Sequence, residues 1–325
     1  MHFMEALDAI DRKILLELDL NARIPETELA RRIRKSREVV RYRVHQLSEQ
    51  GIIKGYLTWI NVAKLGYQGY KIYLKIAGDE KEQKEFFEHI RSRQDVFWLG
   101  VADGAWDVGL TFFAKSNEEF FKAKNELFAR FSGIIFDKKT GILANVYTYP
   151  KKFLGAAAVK KPNLLFGNVV SNEIDDIDKR ILGQLFHNSR IRLVDLANRT
   201  GVSLEVVRNR MKKLEQSGVI VRYAAVIDHT KLGMEFYKTF LYFDDLSEAN
   251  EKKLLEFCEG HPNVIHVVRP ISPWDVELEI MVENYAQYNG IMRQLRSLFP
   301  HELRNIESAI MSEDYVFPAR KTMFD

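Results

Sequence analysis

Cysteine is nearly absent from this chain of 325 residues, which contains only Cys258. One cysteine cannot form a disulfide or a cysteine-based metal cage within the chain, so the disulfide-rich secreted class is excluded and a reducing cytoplasm is favoured. No apolar run approaches the roughly 18 residues that a membrane helix needs, and the first ten residues lack a signal-peptide pattern. We therefore expect a cytoplasmic globular protein with about two domains or more.

Motifs of common enzyme classes are also missing. The sequence contains no Gly-x-Gly-x-x-Gly, no P-loop, no Gly-x-Ser-x-Gly and no His-Glu-x-x-His pattern, and its eight histidines are scattered. Neither sign of charge dominates, because 48 Lys plus Arg against 45 Asp plus Glu leave a net charge of +3. These absences predict a protein that is not an enzyme and holds no cofactor and no metal. The positions of the charges are therefore more informative than their sum.

The chain contains a repeat that spans nearly half of its length. A shift of 167 positions aligns residues 7–73 with residues 174–240 without a gap, and about 28 of the 67 aligned pairs are identical. After one extra residue in the second copy, Trp106-Asp107 aligns with Trp274-Asp275. A period this long indicates a duplicated unit of several elements and excludes a solenoid.

Each unit begins with three predicted helices. Apolar residues at helical spacing mark the first helix, and a tight connection joins a short second helix to the third. Ser36 and Ser203 stand where the N-cap of the third helix is expected, and a glycine ends that helix in both copies. The residues that follow, 53–60 and 220–227, predict a short hairpin or wing. This order of elements is typical of a winged helix-turn-helix.

The rest of each unit alternates strands and helices in the order βαββαβ. That order predicts a ferredoxin-like antiparallel sheet with two helices on one face, so the other face needs a cover. The fold class is therefore α+β, with two copies of a winged helix-turn-helix followed by a ferredoxin-like effector domain. The predicted boundaries are 1–62 and 63–150 for the first unit, 151–172 for a linker, 173–229 and 230–318 for the second unit, and 319–325 for a tail. An apolar patch in the linker, 164–166, is expected to dock on one unit.

Several short motifs together resemble the Lrp/AsnC family of transcription regulators. They are Leu29-Ala30, the run from Ser36 to Arg43, Gly51-Ile52-Ile53, Lys64-Leu65-Gly66 and the turn Gly104-Ala105-Trp106-Asp107, which is similar to the family's Gly-x-x-Asp pattern. The resemblance covers nearly the whole chain, once per unit. The chain departs from the family in being a tandem fusion, and Ser272-Pro273-Trp274-Asp275 in the second copy lacks the glycine.

The resemblance implies that two effector domains pack sheet face to sheet face and carry two DNA-reading heads. One chain is then a pseudo-dimer that covers its own sheet faces, with or without further self-association, and double-stranded promoter or operator DNA is its partner. The resemblance also implies an amino acid or similar small effector near the Gly-x-x-Asp turn. The effector-site residues are then Gly104, Trp106, Asp107, Trp274 and Asp275. In the competing interpretation, the tryptophans only pack and the aspartates bond turn amides.

Basic residues concentrate on the predicted third helices, as expected of a phosphate-binding surface. The predicted DNA-binding residues are Ser36, Arg37, Arg41, Tyr42, Arg43 and His45 in the first head, and Ser203, Leu204, Arg208, Asn209, Arg210 and Lys212 in the second. Arg43 and Arg210 flank the reading face and are expected to grip phosphate or to brace the motif. Because Tyr42 aligns with Asn209, the two heads predict an asymmetric operator with two unlike half-sites.

Three other interpretations stay open at this level. A charge-rich exposed helix can be a solvated surface only. Siroheme decarboxylases share this two-part architecture, and the run from His266 to Arg269 faintly resembles a motif of theirs, although the spacing differs and the first copy has Trp98-Leu99-Gly100-Val101 there. The third interpretation is an effector-binding adaptor with vestigial heads, which DNA binding itself would exclude.

Overall fold

The computed structural model describes residues 7–155, 162–316 and 324. The middle of the predicted linker, 156–161, lies outside these residues, as does the predicted tail apart from Phe324. The helices are α1 (Ala9–Leu20), α2 (Glu26–Ile33), α3 (Arg37–Glu49), α4 (Glu80–Ser92), α5 (Asn117–Arg130), α6 (Asp176–His187), α7 (Leu193–Thr200), α8 (Leu204–Gln216), α9 (Glu248–Gly260) and α10 (Tyr285–Leu298). Within the described ranges, no helix combines the length and the apolar composition that crossing a membrane requires.

The strands follow the same duplicated order as the helices. They are β1 (Ile53–Ile60), β2 (Gln68–Ile76), β3 (Val96–Gly104), β4 (Val108–Ala114), β5 (Ile135–Thr148), β6 (Asn163–Phe166), β7 (Ile220–Ile227), β8 (Glu235–Phe243), β9 (Val264–Ile271), β10 (Val276–Val282) and β11 (Leu303–Val316). The α+β class and the βαββαβ order of both effector domains are confirmed. Strand β6 belongs to the linker.

Helices α1–α3 form the first head, and α6–α8 form the second. Ser36 and Ser203 cap α3 and α8, because their hydroxyls accept hydrogen bonds from the backbone N–H of Val39 and Val206. The buried stripe of α1 includes Ile14, which is fully inaccessible and belongs to the core of the first head. Local capping and apolar periodicity thus specify both three-helix units.

The wings differ from the predicted hairpins. Strands β1 and β7 each leave one head, and they pair with each other as an antiparallel ribbon, with Tyr56 opposite Ala225 and Thr58 opposite Tyr223. Each of these segments forms one continuous strand of eight residues, and its partner is the equivalent strand of the other copy. The prediction of a hairpin inside each unit is therefore wrong, and the two heads share one two-stranded ribbon.

The two effector sheets close into an eight-stranded antiparallel barrel. The ring runs β2-β4-β3-β11-β8-β10-β9-β5 and closes because β5 also pairs with β2. The junctions between the copies, β3 with β11 and β5 with β9, are related by the duplication. Helices α4 and α5 cover the outside of the first sheet, and α9 and α10 cover the second. The sheet face that needed a cover thus faces the other copy inside the barrel.

The linker is partly ordered against the barrel and the first head. Leu154, near its start, packs in the core of the first head. Strand β6 pairs with the end of β5, with Val146 opposite Phe166, so the apolar patch 164–166 docks as predicted. The linker therefore covers one mouth of the barrel.

Candidate functional site

The third helix of each head presents a polar face opposite its buried stripe. In α3, Val40 and Leu47 are buried, whereas Tyr42 is 62% exposed and Arg41 projects from the same exposed face. In α8, Val207, Met211 and Leu214 are buried, and the exposed residues include Arg208, Asn209, Lys212 and Lys213, with Glu205 and Glu215. Both helices therefore carry exposed basic and polar side chains of the kind that reach into a DNA groove.

Arg43 and Arg210 brace the heads. The Nη1 atom of Arg43 lies 2.9 Å from Asp8 Oδ2 and 3.1 Å from Asp11 Oδ2, at the N-terminus of α1. Arg210 makes the same pair of contacts at the N-terminus of α6, at 2.7 Å from Asp175 and 3.3 Å from Asp178. These two arginines tie the third helix to the first helix of their own head, and their guanidinium groups are already neutralised by carboxylates.

The exposed faces of α3 and α8, called the reading faces below, differ in how their arginines are paired. Glu26 in α2 lies 2.8 Å from Arg41 Nη2 and 3.7 Å from Arg37 Nε, and its hydrogen bond with Arg41 lowers the pKa of the Glu26 carboxyl. The second head has Leu193 at the equivalent position. Among the described residues, Arg208 forms no ion pair. The first head therefore holds its arginines against an acid, whereas the second leaves its arginine available.

The barrel interior contains a buried ionic network. Glu277 is fully inaccessible; it lies 3.0 Å from Lys238 Nζ and accepts hydrogen bonds from Tyr73 Oη at 2.7 Å and Trp274 Nε1 at 3.1 Å. Lys238 also donates to Glu279, 2.5 Å away. Burial opposes the charge of Lys238, but these two carboxylates outweigh it and raise the pKa of its amine. Ionised groups buried inside an apolar barrel are costly unless they are paired. In this cluster Lys238 is paired with both Glu277 and Glu279.

Lys71 is the loosely held member of this network. It aligns with Lys238 across the duplication, yet its Nζ lies 4.0 Å from Glu277 Oε2 and 4.3 Å from the centroid of the Trp98 ring. Burial, with the neighbouring ammonium of Lys238, lowers the pKa of the Lys71 amine to about 8. Lys71 is therefore a buried amine that has no carboxylate at hydrogen-bond distance.

His266 sits at the other side of the same cluster. Its Nδ1 lies 2.6 Å from Glu279 Oε2. The pKa of Glu279 lies well below its usual range, because Lys238 and His266 outweigh its burial, so the carboxylate is ionised and Nδ1 carries the proton it donates. Within the described part of the chain, the buried Nε2 atom of His266 has no hydrogen-bond partner.

A cavity opens beside Lys71 and His266 at the barrel mouth that β6 covers. Its volume is about 110 Å³. Its lining is mostly apolar, with a polar end. The residues that line it are Trp59, Ile60, Val62, Lys71, Phe97, Trp98, Thr111, Phe113, Leu143, Val146, Leu165, Phe166, His266, Val268, Glu279, Asp314 and Val316. An apolar pocket with a few convergent polar groups is the usual form of a small-molecule site.

Comparison with known proteins identifies the heads and the family. The family model described as winged helix-turn-helix DNA-binding matches residues 7–54 and 174–221. An uncharacterised HTH-type transcriptional regulator of Pyrococcus horikoshii is 31% identical over 140 residues, which cover 43% of this chain and 87% of that protein. The leucine-responsive regulatory protein of Rhizobium meliloti is 32% identical over 125 residues, which cover 38% of this chain and 80% of that protein. The chain belongs to the Lrp/AsnC family of transcription regulators.

This Lrp/AsnC chain also has a solved structural neighbour of its full length. The siroheme decarboxylase NirDL matches with a TM-score of 0.64, covering 98% of this chain and 96% of its own, at 14% identity. At that identity the match shows the fold alone, namely the arrangement of two head-plus-sheet units. The two relatives described above are named as regulators.

The predicted effector residues of this Lrp/AsnC chain pack tightly in the structure. Trp106 and Trp274 are buried, each with its ring centroid 5.1 Å from that of Tyr73. Asp107 contacts Lys75 Nζ at 2.7 Å and accepts from the backbone N–H of Ile76. The space between these groups is about 10 Å³, roughly the room for one water molecule.

The second-copy turn of the Lrp/AsnC chain is braced in the same way. Asp275 Oδ2 accepts a hydrogen bond from the backbone N–H of Phe243 at 2.7 Å. In the first copy, a Cβ at Gly104 would lie 2.5 Å from the backbone oxygen of Ser308, so only glycine fits the junction with β11. All five predicted effector residues therefore make close contacts within the barrel, and their role in binding an effector stays a prediction.

Four residues of the buried network do not stand out in the sequence, namely Lys71, Lys238, Glu277 and Glu279. A signal was available in β10, where Val276, Leu278 and Ile280 alternate with Glu277 and Glu279. That alternation usually places acids in solvent. In this Lrp/AsnC barrel the second face of β10 points into the interior, so the acids are buried. The sequence pattern is the same whether such acids face solvent or the barrel interior, so only the pairing of the two sheets shows that they are buried.

Proposed function

We propose that this Lrp/AsnC chain regulates transcription as a pseudo-dimer, with both heads on one asymmetric operator. The observation that carries the proposal is the pair of exposed reading helices, α3 and α8, whose heads are joined by the β1–β7 ribbon. Their exposed residues differ, with Tyr42 in the position of Asn209. A head with a different reading face recognises a different half-site.

Selection from a random duplex library at near-physiological salt tests this proposal. We expect two unlike enriched half-sites separated by about one helical turn or a multiple of it, and a steep fall of affinity with salt. A palindromic winning site contradicts the asymmetry. No enrichment at all contradicts sequence-specific regulation and leaves the adaptor with vestigial heads.

Two substitutions separate base reading from phosphate binding. Asn209→Ala should relax specificity at one half-site, by about 1–3 kcal/mol per base pair read. Arg41→Ala should weaken binding to all sequences alike and reduce the salt dependence. Affinities for the selected site and for single-base variants, measured by fluorescence anisotropy, distinguish the two effects. Identical consequences of both substitutions would refute the assigned roles.

Regulation by a small effector is part of the same proposal. At the turns, Trp106 and Trp274 pack against Tyr73, and Asp107 and Asp275 accept backbone hydrogen bonds; among the described residues the buried Trp106 Nε1 atom has no partner. A ligand there would have to displace a ring. Melting-temperature shifts with amino acids test for an effector anywhere in the chain, because a ligand that binds the folded state stabilises it. If no amino acid shifts the melting temperature, the chain would be a regulator without an amino-acid effector.

A tetrapyrrole enzyme is the second candidate, and two observations favour considering it. The NirDL decarboxylase matches over the full chain, and His266 directs an unpartnered nitrogen toward the cavity. The cavity volume argues against it. Pockets for drug-sized ligands measure about 300–1,000 Å³, whereas this cavity measures about 110 Å³. Titration with siroheme should therefore give no shifted absorption band; a saturable shift would favour the enzyme.

A further inference from the structure

The two copies line this cavity with different polar residues. His266 aligns with Trp98 and Glu279 aligns with Thr111, and all four residues line the cavity. The second copy thus supplies the acids and the histidine, and the first copy supplies small or aromatic residues beside Lys71. A barrel that had only to be stable would not need different polar residues from the two copies. The duplicated copies have diverged in a way that builds one pocket.

The charged groups that line the cavity differ in whether they already have an ionic or hydrogen-bond partner. Glu279 is paired with Lys238 and His266, and Asp314 accepts the Trp98 indole N–H at 2.6 Å. The carboxylates therefore have partners already. Lys71 has no carboxylate oxygen within hydrogen-bond distance, since its ion pair with Glu277 is 4.0 Å long, and it lines the cavity beside the Trp98 ring. The unfilled requirement of the site is an anion, and a carboxylate is the small organic anion that an ammonium pairs with directly.

We propose that this cavity binds a small apolar monocarboxylate, with the carboxylate on Lys71 and the apolar body against the aromatic wall. This assignment rests on the proposed regulatory function. It names the chemical class of the effector, and the regulatory function adds that binding changes operator affinity. The wall includes Trp59, Phe97 and Phe166. A cavity of about 150 Å³ lined by apolar residues accepts benzene, so this smaller cavity of about 110 Å³ suits a branched aliphatic chain better than a ring. The buried Nε2 atom of His266, which has no partner among the described residues, offers one further hydrogen-bonding position to the ligand.

The cavity touches the segments that connect the heads to the barrel. Trp59 lies in the β1–β7 ribbon, and its ring is 5.7 Å from the guanidinium of Arg222 in β7. Arg222 in turn lies 3.8 Å from Asp19, a buried residue of α1 in the first head. A ligand that packs on Trp59 therefore contacts the ribbon that both heads share.

Isothermal titration of the full chain tests the site directly. The probes are 3-phenylpropanoate, 4-methylpentanoate, L-phenylalanine and L-leucine, with 3-phenylpropanamide as the uncharged control. We expect saturable binding of at least one carboxylate and none of the amide. If only the amino acids bind, the ligand class is a zwitterionic carboxylate. If only 3-phenylpropanoate or 4-methylpentanoate binds, the ligand class is a simple carboxylate without an ammonium group. If no probe binds, or if the amide binds as well as its acid, the proposal is overturned.

Matched variants locate the binding. Lys71→Met should weaken binding of the carboxylate at least tenfold, whereas Lys75→Met, the same change on the same strand at the Asp107 turn, should leave it unchanged. Leu165→Trp should fill the cavity and block binding, and Leu164→Trp, an exposed neighbour outside the cavity, should not. Circular dichroism melts establish that each variant folds. Loss of binding in Lys75→Met with retention in Lys71→Met would place the ligand at the turn and refute the cavity.

The outcome is separable from that of the DNA experiment. Library selection needs no ligand, and titration needs no DNA. Binding in the cavity without sequence-specific DNA binding would keep the site and reject the regulator. Where both hold, we expect 3-phenylpropanoate, or whichever probe binds, to change operator affinity in the parent chain and not in Leu165→Trp. No change in the parent chain would reject the coupling through Trp59.

Discussion

Glu26 and Leu193 occupy equivalent positions beside the two reading helices, and they give the heads different electrostatics. Glu26→Leu should free Arg37 and Arg41 for phosphate contacts, so operator affinity should rise and the logarithmic salt slope should steepen by about one to two. The reciprocal change, Leu193→Glu, should place an acid beside Arg208 and weaken binding. Fluorescence anisotropy between about 50 and 200 mM salt measures both effects.

A charge control is available for this pair. Glu283→Gln removes the same charge from an exposed position in the second effector domain. It should leave the salt slope unchanged, because its carboxylate has no arginine of a reading helix beside it. An unchanged slope in Glu26→Leu, or an equal change in Glu283→Gln, would show that Glu26 does not restrain the arginines.

Lys71 should reduce stability at neutral pH, as expected of a residue kept for binding. In the folded chain its amine has a pKa of about 8, below the value near 10.4 of an unfolded lysine. The unfolded state therefore binds more protons between these values, and the free energy of unfolding of the parent chain rises as pH increases from about 8 to 10. Lys71→Met should stabilise the chain by about 1–3 kcal/mol at pH 7, and this gain should shrink toward pH 10.

Urea unfolding at pH 7 and pH 9.5 measures that difference. Lys75→Met is the matched control, because Lys75 pairs with Asp107 and is partly exposed. It should change the free energy of unfolding by less than about 1 kcal/mol at both pH values. A destabilised Lys71→Met variant at pH 7 would mean that the Lys71 ammonium supports the network.

At the residue scale the sequence predicted surface chemistry better than buried chemistry. The serine caps and the exposed faces of α3 and α8 follow from local periodicity and were predicted. The bracing arginines, Arg43 and Arg210, were left between two roles, because their partners lie in another helix. Lys71 was not identified, since a lysine in a strand is normally assigned to solvent.

At the scale of elements, the turn between α2 and α3 distinguishes the two heads. Arg34 ends α2 in a left-handed conformation with φ of 59°, whereas Gly201 holds the equivalent position with φ of 70°. That conformation costs an L-residue about 1–2 kcal/mol relative to a right-handed one. Arg34→Gly should therefore stabilise the chain by about 1 kcal/mol and Gly201→Arg should destabilise it by a similar amount.

Thermal melts of the two exchanged variants test this difference. A Cβ at Gly201 would meet no atom within 4 Å, so the cost of Gly201→Arg arises from the backbone alone. Shifts of melting temperature in opposite directions are expected. Shifts in the same direction would mean that the side chain of Arg34, and not its backbone, determines the stability of the turn.

Helices were predicted more accurately than strand pairing. The apolar stripes and caps of α1, α3, α6 and α8 are local signals, so their positions followed from the sequence. The pairing of β1 with β7 depends on segments 167 residues apart, and no short-range pattern distinguishes it from a hairpin. The linker strand β6 was predicted only as an apolar patch that docks.

At the scale of the whole molecule, duplication explains the barrel. The resemblance to the Lrp/AsnC family implied that the sheets of the two copies pair within one chain, and the closed ring of strands agrees with it. It did not predict the cavity, because the cavity depends on residues that differ between the copies, such as His266 and Trp98. Differences between the two copies thus give a cavity with unequal walls and two unlike heads in one chain.

The stoichiometry of the operator complex tests the central claim most directly. Sedimentation equilibrium of the chain with a selected duplex that carries both half-sites should give one chain per duplex, and a duplex with one half-site scrambled should lose most of the affinity. The β1–β7 ribbon and the closed barrel already join two heads in one chain. Two chains per duplex, or full affinity for a single half-site, would contradict a pseudo-dimer that reads one asymmetric operator.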